Sequence, residues 1–374
     1  MPNTFVTPSA VVRDAALVLN DQLLVANLVN RNVEQTFATK VGSSVKVKGP
    51  ANLGTADEFV SSTSATAVTE DGTDVVLQKH FYKRVDLTSD ESALQVDDFT
   101  SQIVVPAVKA LVRGVEGYFI QKIIGGFSRN TVGTAGNQPS THAHILAADK
   151  KIFDNRGDTS QLVGLITSTA HSSLSQLNIF TSAEYGAERP AGLRSNSLGM
   201  LSGINWFRSP NMAFTRGYLT GTIVVKDTVA ATGTSITVDG FSDATGGGVP
   251  IYEGTRFVIA GDATVYTVTE DAAIAGSEAT LKIYPALAAQ ATAEAGITFQ
   301  AAPSANVVYN PMGVAAAILP GPVTNAQTAV ANVAGLGIRI MSNASTSTLA
   351  TTWVFDLYCG ARVVMPDFGA VMQG

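Results

Sequence analysis

The chain has 374 residues, with 24 Lys and Arg against 30 Asp and Glu, for a formal net charge of -6. Hydrophobic residues make up 45%, enough for a full core, which excludes a disordered chain. The single cysteine, Cys359, excludes a disulfide scaffold, and the acidic balance excludes a strongly basic nucleic-acid binder.

Charged residues are only 14% of the chain, against roughly 25% in an average soluble protein. So sparse a charge suits a protein that lies against copies of itself. The first apolar run is interrupted by Arg13 and Asp14 and follows no basic stretch, so no secretory signal is expected. No run approaches the ~18 apolar residues of a membrane-spanning helix.

Thr7-Pro8 reads as an N-cap followed by proline at the first helical position. Val11, Ala15, Val18, Leu19, Gln22 and Ala26 then recur at helical spacing, predicting a helix to about Asn30. Val33, Gln35 and Phe37 begin an extended stretch, and Val45-Lys-Val-Lys48 alternates as a strand ending at Gly49-Pro50. Residues 51–73 are rich in Ser, Thr and Ala. A strand follows, with Val75, Leu77, Phe81, Val85 and Leu87 on one parity and Gln78, His80, Tyr82, Arg84 and Asp86 on the other. Two strands around a long polar excursion predict a hairpin arm that leaves the domain and lies on something else.

Thr88-Ser-Asp-Glu91 fits a capping box before a long helix to about Ile124, with a kink or break at Pro106 and an end at Gly125-Gly126. Residues 127–220 read as mixed α/β: a loop from Asn130 to His144, a buried strand at 162–167, a helix at 169–177, and a glycine-punctuated turn from Gly199 into a strand. From Gly221 the texture changes. Short strands at 223–226, 235–238, 256–259, 265–269, 281–284 and 297–300 predict a small inserted β-barrel or sandwich. Beyond it, residues 306–319 look helical after their first few positions. Residues 335–341, 353–359 and 362–365 look like strands.

Motifs for chemistry are absent: there is no phosphate-binding loop, no dinucleotide fingerprint and no Cys-x-x-Cys pair. His142 and His144 would point the same way on a strand, as metal ligands do, but no carboxylate except Asp149 is near, and surface histidines are the simpler reading. His171 beside Ser172 and Ser173 is not triad geometry, which is assembled in space. Asp57-Glu58 and Asp97-Asp98 read as solvated charge, and Arg156-Gly-Asp158 as a chance tripeptide. Cys359 sits on an alternating apolar strand as a small core residue. Lys79, His80, Lys83 and Arg84 form a basic cluster on the second strand of the arm. It serves edge protection, contact with an acidic neighbour, or both.

The order of these elements resembles the major capsid proteins of tailed phages, with the Hong Kong-type capsid fold. Several stretches are similar to the short-tailed-phage coat protein branch: Val6-Thr-Pro-Ser to Arg31, Ala38-Thr-Lys-Val-Gly-Ser-Ser-Val-Lys-Val, and Gly199 to Ser209. So are Asn306-Val-Val-Tyr-Asn-Pro-Met-Gly, Gly337-Ile-Arg339 and Asp356-Leu-Tyr-Cys-Gly-Ala-Arg362. Within residues 222–302, Ser235-Ile-Thr-Val-Asp-Gly and Gly254 to Gly261 resemble that branch's β-rich insertion. Two positions depart from its pattern. Glu116 stands in place of an expected Asp in the long helix, and Ser43 in place of a common Asp.

The resemblance implies an α+β fold with an N-terminal arm (1–37), an extended hairpin arm (38–87), and a spine helix (88–126) that forms a peripheral domain with 346–374. It further implies an axial domain (127–221 and 304–345) and an inserted all-β domain (222–303). The implied protein is not an enzyme and needs no cofactor or metal. It assembles with itself into pentamers and hexamers of an icosahedral shell around DNA, located in the virion and put together in the host cytoplasm. The implied partners are a scaffolding protein and a portal, with or without a decoration protein outside, and no membrane. Candidate contacts between subunits are Asp57, Glu58, Lys79, Lys83 and Arg84. Other readings are a non-viral surface or compartment shell protein, and a hydrolase with a β accessory domain. The hydrolase would need a nucleophile turn and partner His that the sequence lacks.

Overall fold

A computed structural model describes residues 8–34, 37, 44–48, 72–88, 99–133, 139–177, 199–212, 221–242, 251–300, 305–323, 328–333, 336–344 and 350–373. The chain runs through α1 (Pro8–Gln22), β1 (Ser44–Lys48), β2 (Gly72–Val76), β3 (Lys79–Thr88), α2 (Val105–Phe127), β4 (Thr131–Val132), α3 (His142–Asp154), β5 (Leu162–Ile166) and α4 (Ser168–Ser175). It continues through β6 (Met200–Leu201), β7 (Ile204–Arg208), β8 (Gly221–Val225), β9 (Ser235–Phe241), β10 (Arg256–Ile259), β11 (Val265–Val268), β12 (Ala279–Tyr284) and β13 (Ile297–Phe299). Last come β14 (Ala305–Tyr309), β15 (Val314–Leu319), β16 (Thr328–Val333), β17 (Leu336–Ala344), β18 (Ala350–Val363) and β19 (Gly369–Gln373). The chain divides into two compact units, residues 1–116 with 314–365 and residues 117–313 with 366–374.

In the first unit, β18 is the organising strand. Its first ten residues pair with β3 along one edge, while β17 and then β15 pair along the other. β16 extends the sheet beyond β17. The amphipathic helix α1 lies on β16 and β17 and buries Val11, Val12, Ala15, Ala16 and Leu19 at helical spacing. It is shorter than its periodicity suggests: it ends at Gln22, and a 3-10 turn covers Val25–Leu28. The spacing of Gln22 and Ala26 continues the stripe, but the chain turns where Glu116, 4% exposed on α2, accepts the backbone N–H groups of Leu24 (2.7 Å) and Val25 (3.3 Å). A carboxylate supplies the acceptor that the continuing helix would have supplied. The Glu-for-Asp departure is thus a structural pin. Val33 and Phe37, expected to be extended, are helical.

Pro106 has no N–H to give, so the carbonyl of Gln102 has no i+4 donor. The chain widens there into a π turn over Thr100–Val104, with Val105 N–H bonded to the Thr100 carbonyl, before α2 proper begins. Gly125-Gly126 does not end α2, which continues to Phe127. Gly125 has a packing role. A methyl there would come within 2.9 Å of the Glu253 carbonyl oxygen, so only glycine lets that loop lie on the helix.

In the second unit, β4, β19, β14, β5, β7 and β6 form a mixed sheet in that order. Helices α3 and α4 cover it through Ile145, Ala148, Ile152, Ala170 and Leu174 against Leu162, Ile166, Val308 and Met372. Residues 130–144, read as one loop, contain β4 and the start of α3. The two-residue turn Ser202-Gly203 between β6 and β7 has positive φ at both positions (55° and 76°), the geometry that hairpin twist requires.

Residues 221–300 fold as β13-β10-β11-β12-β9-β8, matching the predicted strands one for one. Val225 N–H bonds to the Ala295 carbonyl and Glu294 N–H to Val225, so β8 returns to the β13 end and closes a barrel. Inside it pack Val225, Val238, Phe257, Tyr266, Val268 and Leu281. Lys122 of α2, nearly buried, bonds Asp271 at 2.8 Å and faces Glu253 at 3.6 Å. Arg129 lies over the Tyr284 ring at 5.1 Å.

The stretch 306–319 is not helical. It is β14, a central strand, and β15. Both are buried on both faces, so they read as apolar runs, broken in β14 by the buried Asn306, and the alanines of Val314-Ala-Ala-Ala imitate a helix. β15, β16 and β17, in the 304–345 stretch that the resemblance groups with 127–221, lie in the sheet of β18 and β3. Residues 362–365 form no separate strand: β18 runs to Val363, and β19 follows.

Lys122→Met removes the charged donor shared by Glu253 and Asp271. It is expected to lower stability by about 1–3 kcal/mol. Urea unfolding followed by Trp206 fluorescence, with Trp353 replaced by Phe, measures it in this unit.

Candidate functional site

The predicted hairpin has its stem in β1 and β2, which pair antiparallel from Ser44↔Val76 to Lys48↔Gly72. Its base is held by an apolar cluster of Val33, Phe37, Val45, Val75, Ala315 and Ala317. Asp57 and Glu58 fall outside the described residues. The expected single strand at 75–87 is two strands, β2 and β3, divided at Leu77-Gln78. The division comes where Val76 and Leu77 pass close over Gly360, at which any side chain would strike the Val76 carbonyl.

The second strand does not leave the unit: all ten residues of β3 pair with β18. Lys79, Phe81, Lys83, Val85 and Leu87 share a face with their partners Cys359, Leu357, Phe355, Trp353 and Thr351. Phe81 packs on α2 at Gly114, where a methyl would meet its ring at 3.1 Å. Lys79 and Lys83 interrupt this face and are exposed. No strand among the described residues pairs with the other edge of β3, and lysine on an edge strand resists further pairing. Arg84, on the opposite face, bonds Asp86 at 3.0 Å within its own strand. The Thr352 hydroxyl and the Arg84 guanidinium hold the Asp86 carboxyl below the usual range. Arg84 thus has a carboxylate of its own, while Lys79 and Lys83 have no ion-pair partner among the described residues.

His80 leads into a network that the sequence did not reveal. Its Nε2 lies 2.7 Å from Oδ2 of Asp356, and its ring stacks on Tyr358 at 4.1 Å. Asp356 is 1% exposed, and both of its oxygens accept from Arg339, Oδ1 from Nε at 2.8 Å and Oδ2 from Nη2. Arg339 Nη1 donates to the Pro322 carbonyl at 2.9 Å, and Gly321 leaves room for the guanidinium. The only signal in the sequence was a charge, Arg339 or Asp356, within each of two apolar runs.

Glu34 lies at the arm's base. Its Oε1 accepts the Ile318 N–H at 3.1 Å, on the β15 edge where Asn30 also bonds Val314 and Ala316. Burial pushes its carboxyl up to about 7, opposed by the Ile318 N–H and by Arg31.

The histidines hold no metal geometry. His142 and His144 open a helix, so they diverge. His142 meets the Ser202 hydroxyl and His144 the Thr141 hydroxyl. No group of three or more His, Cys, Asp or Glu side chains among the described residues is placed to hold a metal ion. His171 is buried in α4 beside Ser175. Cys359 is buried, and burial pushes its thiol up to about 12, which leaves it unreactive. Among the described residues no helix is long and apolar enough to cross a membrane.

Two predictions follow from these geometries. Asp356→Asn leaves Arg339 buried beside a neutral amide and is expected to cost about 3–5 kcal/mol. Urea unfolding read by Trp353 fluorescence in a Trp206→Phe background checks it. For Glu34, the usual carboxyl value is 4.5 and the folded value about 7. Between these pH values the unfolded chain has lost the proton and the folded chain has not, so this group's contribution to stability falls as pH rises and levels off above 7. Glu34→Gln is expected to gain on the native protein across that window in thermal melts, with no further gain beyond it.

No family model matches the sequence, and no curated protein is significantly similar to it. Solved structures do match. A chain of Mycobacterium phage Che8 aligns with a TM-score of 0.54 at 16% identity, over 94% of this chain and 90% of its own. A chain of the capsid of Cyanophage P-SCSP1u aligns with a TM-score of 0.53 at 11% identity, over 94% and 88%. The chain therefore has a mixed α and β fold of the kind found in phage capsids.

Proposed function

We propose that this chain is the major capsid protein of a tailed phage, a structural subunit without catalytic activity. The observation that carries the proposal is the likeness to the cyanophage capsid chain, which extends over 94% of this chain. On this reading the fold is of the Hong Kong type, with residues 38–87 as the extended arm, α2 within the spine, and the 222–303 barrel as an inserted domain on the outer surface. Subunits close into pentamers and hexamers, and these into an icosahedral shell around DNA. Modest contacts suffice because symmetry repeats them and each subunit is held at several at once. The net charge of -6 keeps free subunits soluble and encloses DNA without gripping it. A scaffolding protein and a portal belong to the same proposal, as do a decoration protein outside, assembly in the host cytoplasm and residence in the virion.

The test is size-exclusion chromatography followed by negative-stain electron microscopy, on the protein alone and co-expressed with a scaffolding protein. Rings of five and six, or uniform shells, are the expected result. A monomer in both preparations overturns the reading.

A further inference from the structure

The sheet of the second unit is almost without charge. β4, β5, β6, β7, β14 and β19, together with α4, contain no Asp or Glu, and Arg208 is their only Lys or Arg. Arg208 is exposed and has no ion-pair partner among the described residues. β5 and β7 run parallel, with Ile166 beside Arg208, so the carboxyl ends of both strands meet one edge of the sheet. Edges of this kind are where α/β sheets bind ligands. Here β5 turns through Thr167 into α4. Thr167 caps the helix: its hydroxyl accepts the Ala170 N–H at 3.2 Å and its carbonyl the His171 N–H at 2.9 Å. The N–H groups of Ser168 and Thr169, the first two helical residues, have no acceptor among the described residues.

A second observation comes from β14. Asn306, next to the pairing of Val307 with Leu165, is 0% exposed. Its Oδ1 accepts the Thr167 N–H at 2.8 Å. The same planar amide carries Nδ2, which is thereby held at the opening turn of α4, buried and without an acceptor. Trp206 Nε1 is buried without an acceptor too. Alternation along the strands puts Asn306 with Val308, and Arg208 with Trp206, on the sheet face that carries α4. Buried donors without acceptors are rare in folded chains. Two of them share this face with two bare backbone N–H groups and an unpaired cation.

We propose that the N-terminus of α4 binds one free oxyanion of the phosphate class. The Ser168 and Thr169 N–H groups and Asn306 Nδ2 donate to it, and Arg208 supplies the opposite charge. Backbone donors at a helix N-terminus favour an anion through their hydrogen bonds and through the helix dipole. Donors arriving from a helix and two strands suit a tetrahedral group better than a planar carboxylate. A single arginine on these elements suits one free ion, whereas a polymer's phosphates need a run of basic residues. The site lies within one unit of one chain, so the inference does not depend on the capsid reading.

The experiment titrates the full chain, carrying Trp353→Phe, with inorganic phosphate at constant ionic strength. Calorimetry and the fluorescence of Trp206, two residues before Arg208, read the binding. A saturable response with a Kd of about 1 mM or tighter is expected. Ser168→Pro deletes one of the donors. Proline is well tolerated at the first helical position after an extended residue, and Thr167 is extended, with φ -73° and ψ 160°. Circular dichroism and the Tm without phosphate are therefore expected to hold, while phosphate affinity falls roughly tenfold. Arg208→Gln, at an exposed side chain, is expected to lower affinity by roughly tenfold or more with the fold intact. Acetate is expected to bind more weakly than phosphate. The proposal is overturned if the native sequence at these positions gives no saturable response, or if either folded variant binds phosphate as tightly as its parent. Acetate binding as tight as phosphate overturns it in favour of a carboxylate. A short single-stranded oligothymidylate that binds more tightly than phosphate, and loses that binding in Arg208→Gln, overturns it in favour of a polymer.

Discussion

The carboxylate of Asp356 has almost no access to water, and the first unit is arranged to accommodate it. A buried charge is tolerable only with a well-placed opposite charge and its remaining hydrogen bonds filled. Arg339 lies directly across from it on β17, and His80 reaches it diagonally from β3. The pairing therefore works only when three strands are in one register. A slip of one residue would turn every side chain of the slipped strand to the other face and leave the carboxylate unpaired. The orientation of Lys79 and Lys83 is fixed by the same register. Even the bend at Gly321-Pro322 is part of it, since it supplies a carbonyl and the space for the guanidinium.

Other buried charges act similarly. Glu116 of α2 holds the end of α1, and Lys122 of α2 holds the loops at Glu253 and Asp271. Each link spans many residues of sequence. The apolar side chains here are largely alanine and valine, which carry no directional contacts of their own. A few interior charges, each needing its own set of partners in place, make the alternative packings costly. Sparse charge on the chain as a whole is compatible with charge being decisive at a few positions.

The parts of the fold legible in the sequence were those with local rules. The barrel strands showed as short alternating runs between turns, and the hairpin stem as Val45-Lys-Val-Lys48. The order of elements was enough to suggest a capsid fold. What escaped notice depends on tertiary structure. Ala-rich β15 is a strand because it lies beside β18, not because of its composition. Gly125 looks like a terminator until the Glu253 loop is seen against it. Of the candidate surface, Lys79 and Lys83 could be named from the sequence. That Arg84 and His80 were already engaged could not, because their partners are revealed only by the strand register and the side-chain geometry.

The position of β19 determines when the second unit can be finished. β19 lies between β4 and β14, and the Val371 N–H bonds to the Asn130 carbonyl. Every other strand of this sheet precedes it in the chain, the nearest being β14 at residues 305–309. As the chain is synthesised, the barrel at 221–300 emerges whole, with all its partners close in sequence, and can close early. The sheet beneath α3 must keep a gap between β4 and β14 until β19 arrives. A nascent chain therefore carries a finished barrel beside an unfinished sheet, and its second unit stays incomplete until residues 369–373 have been made.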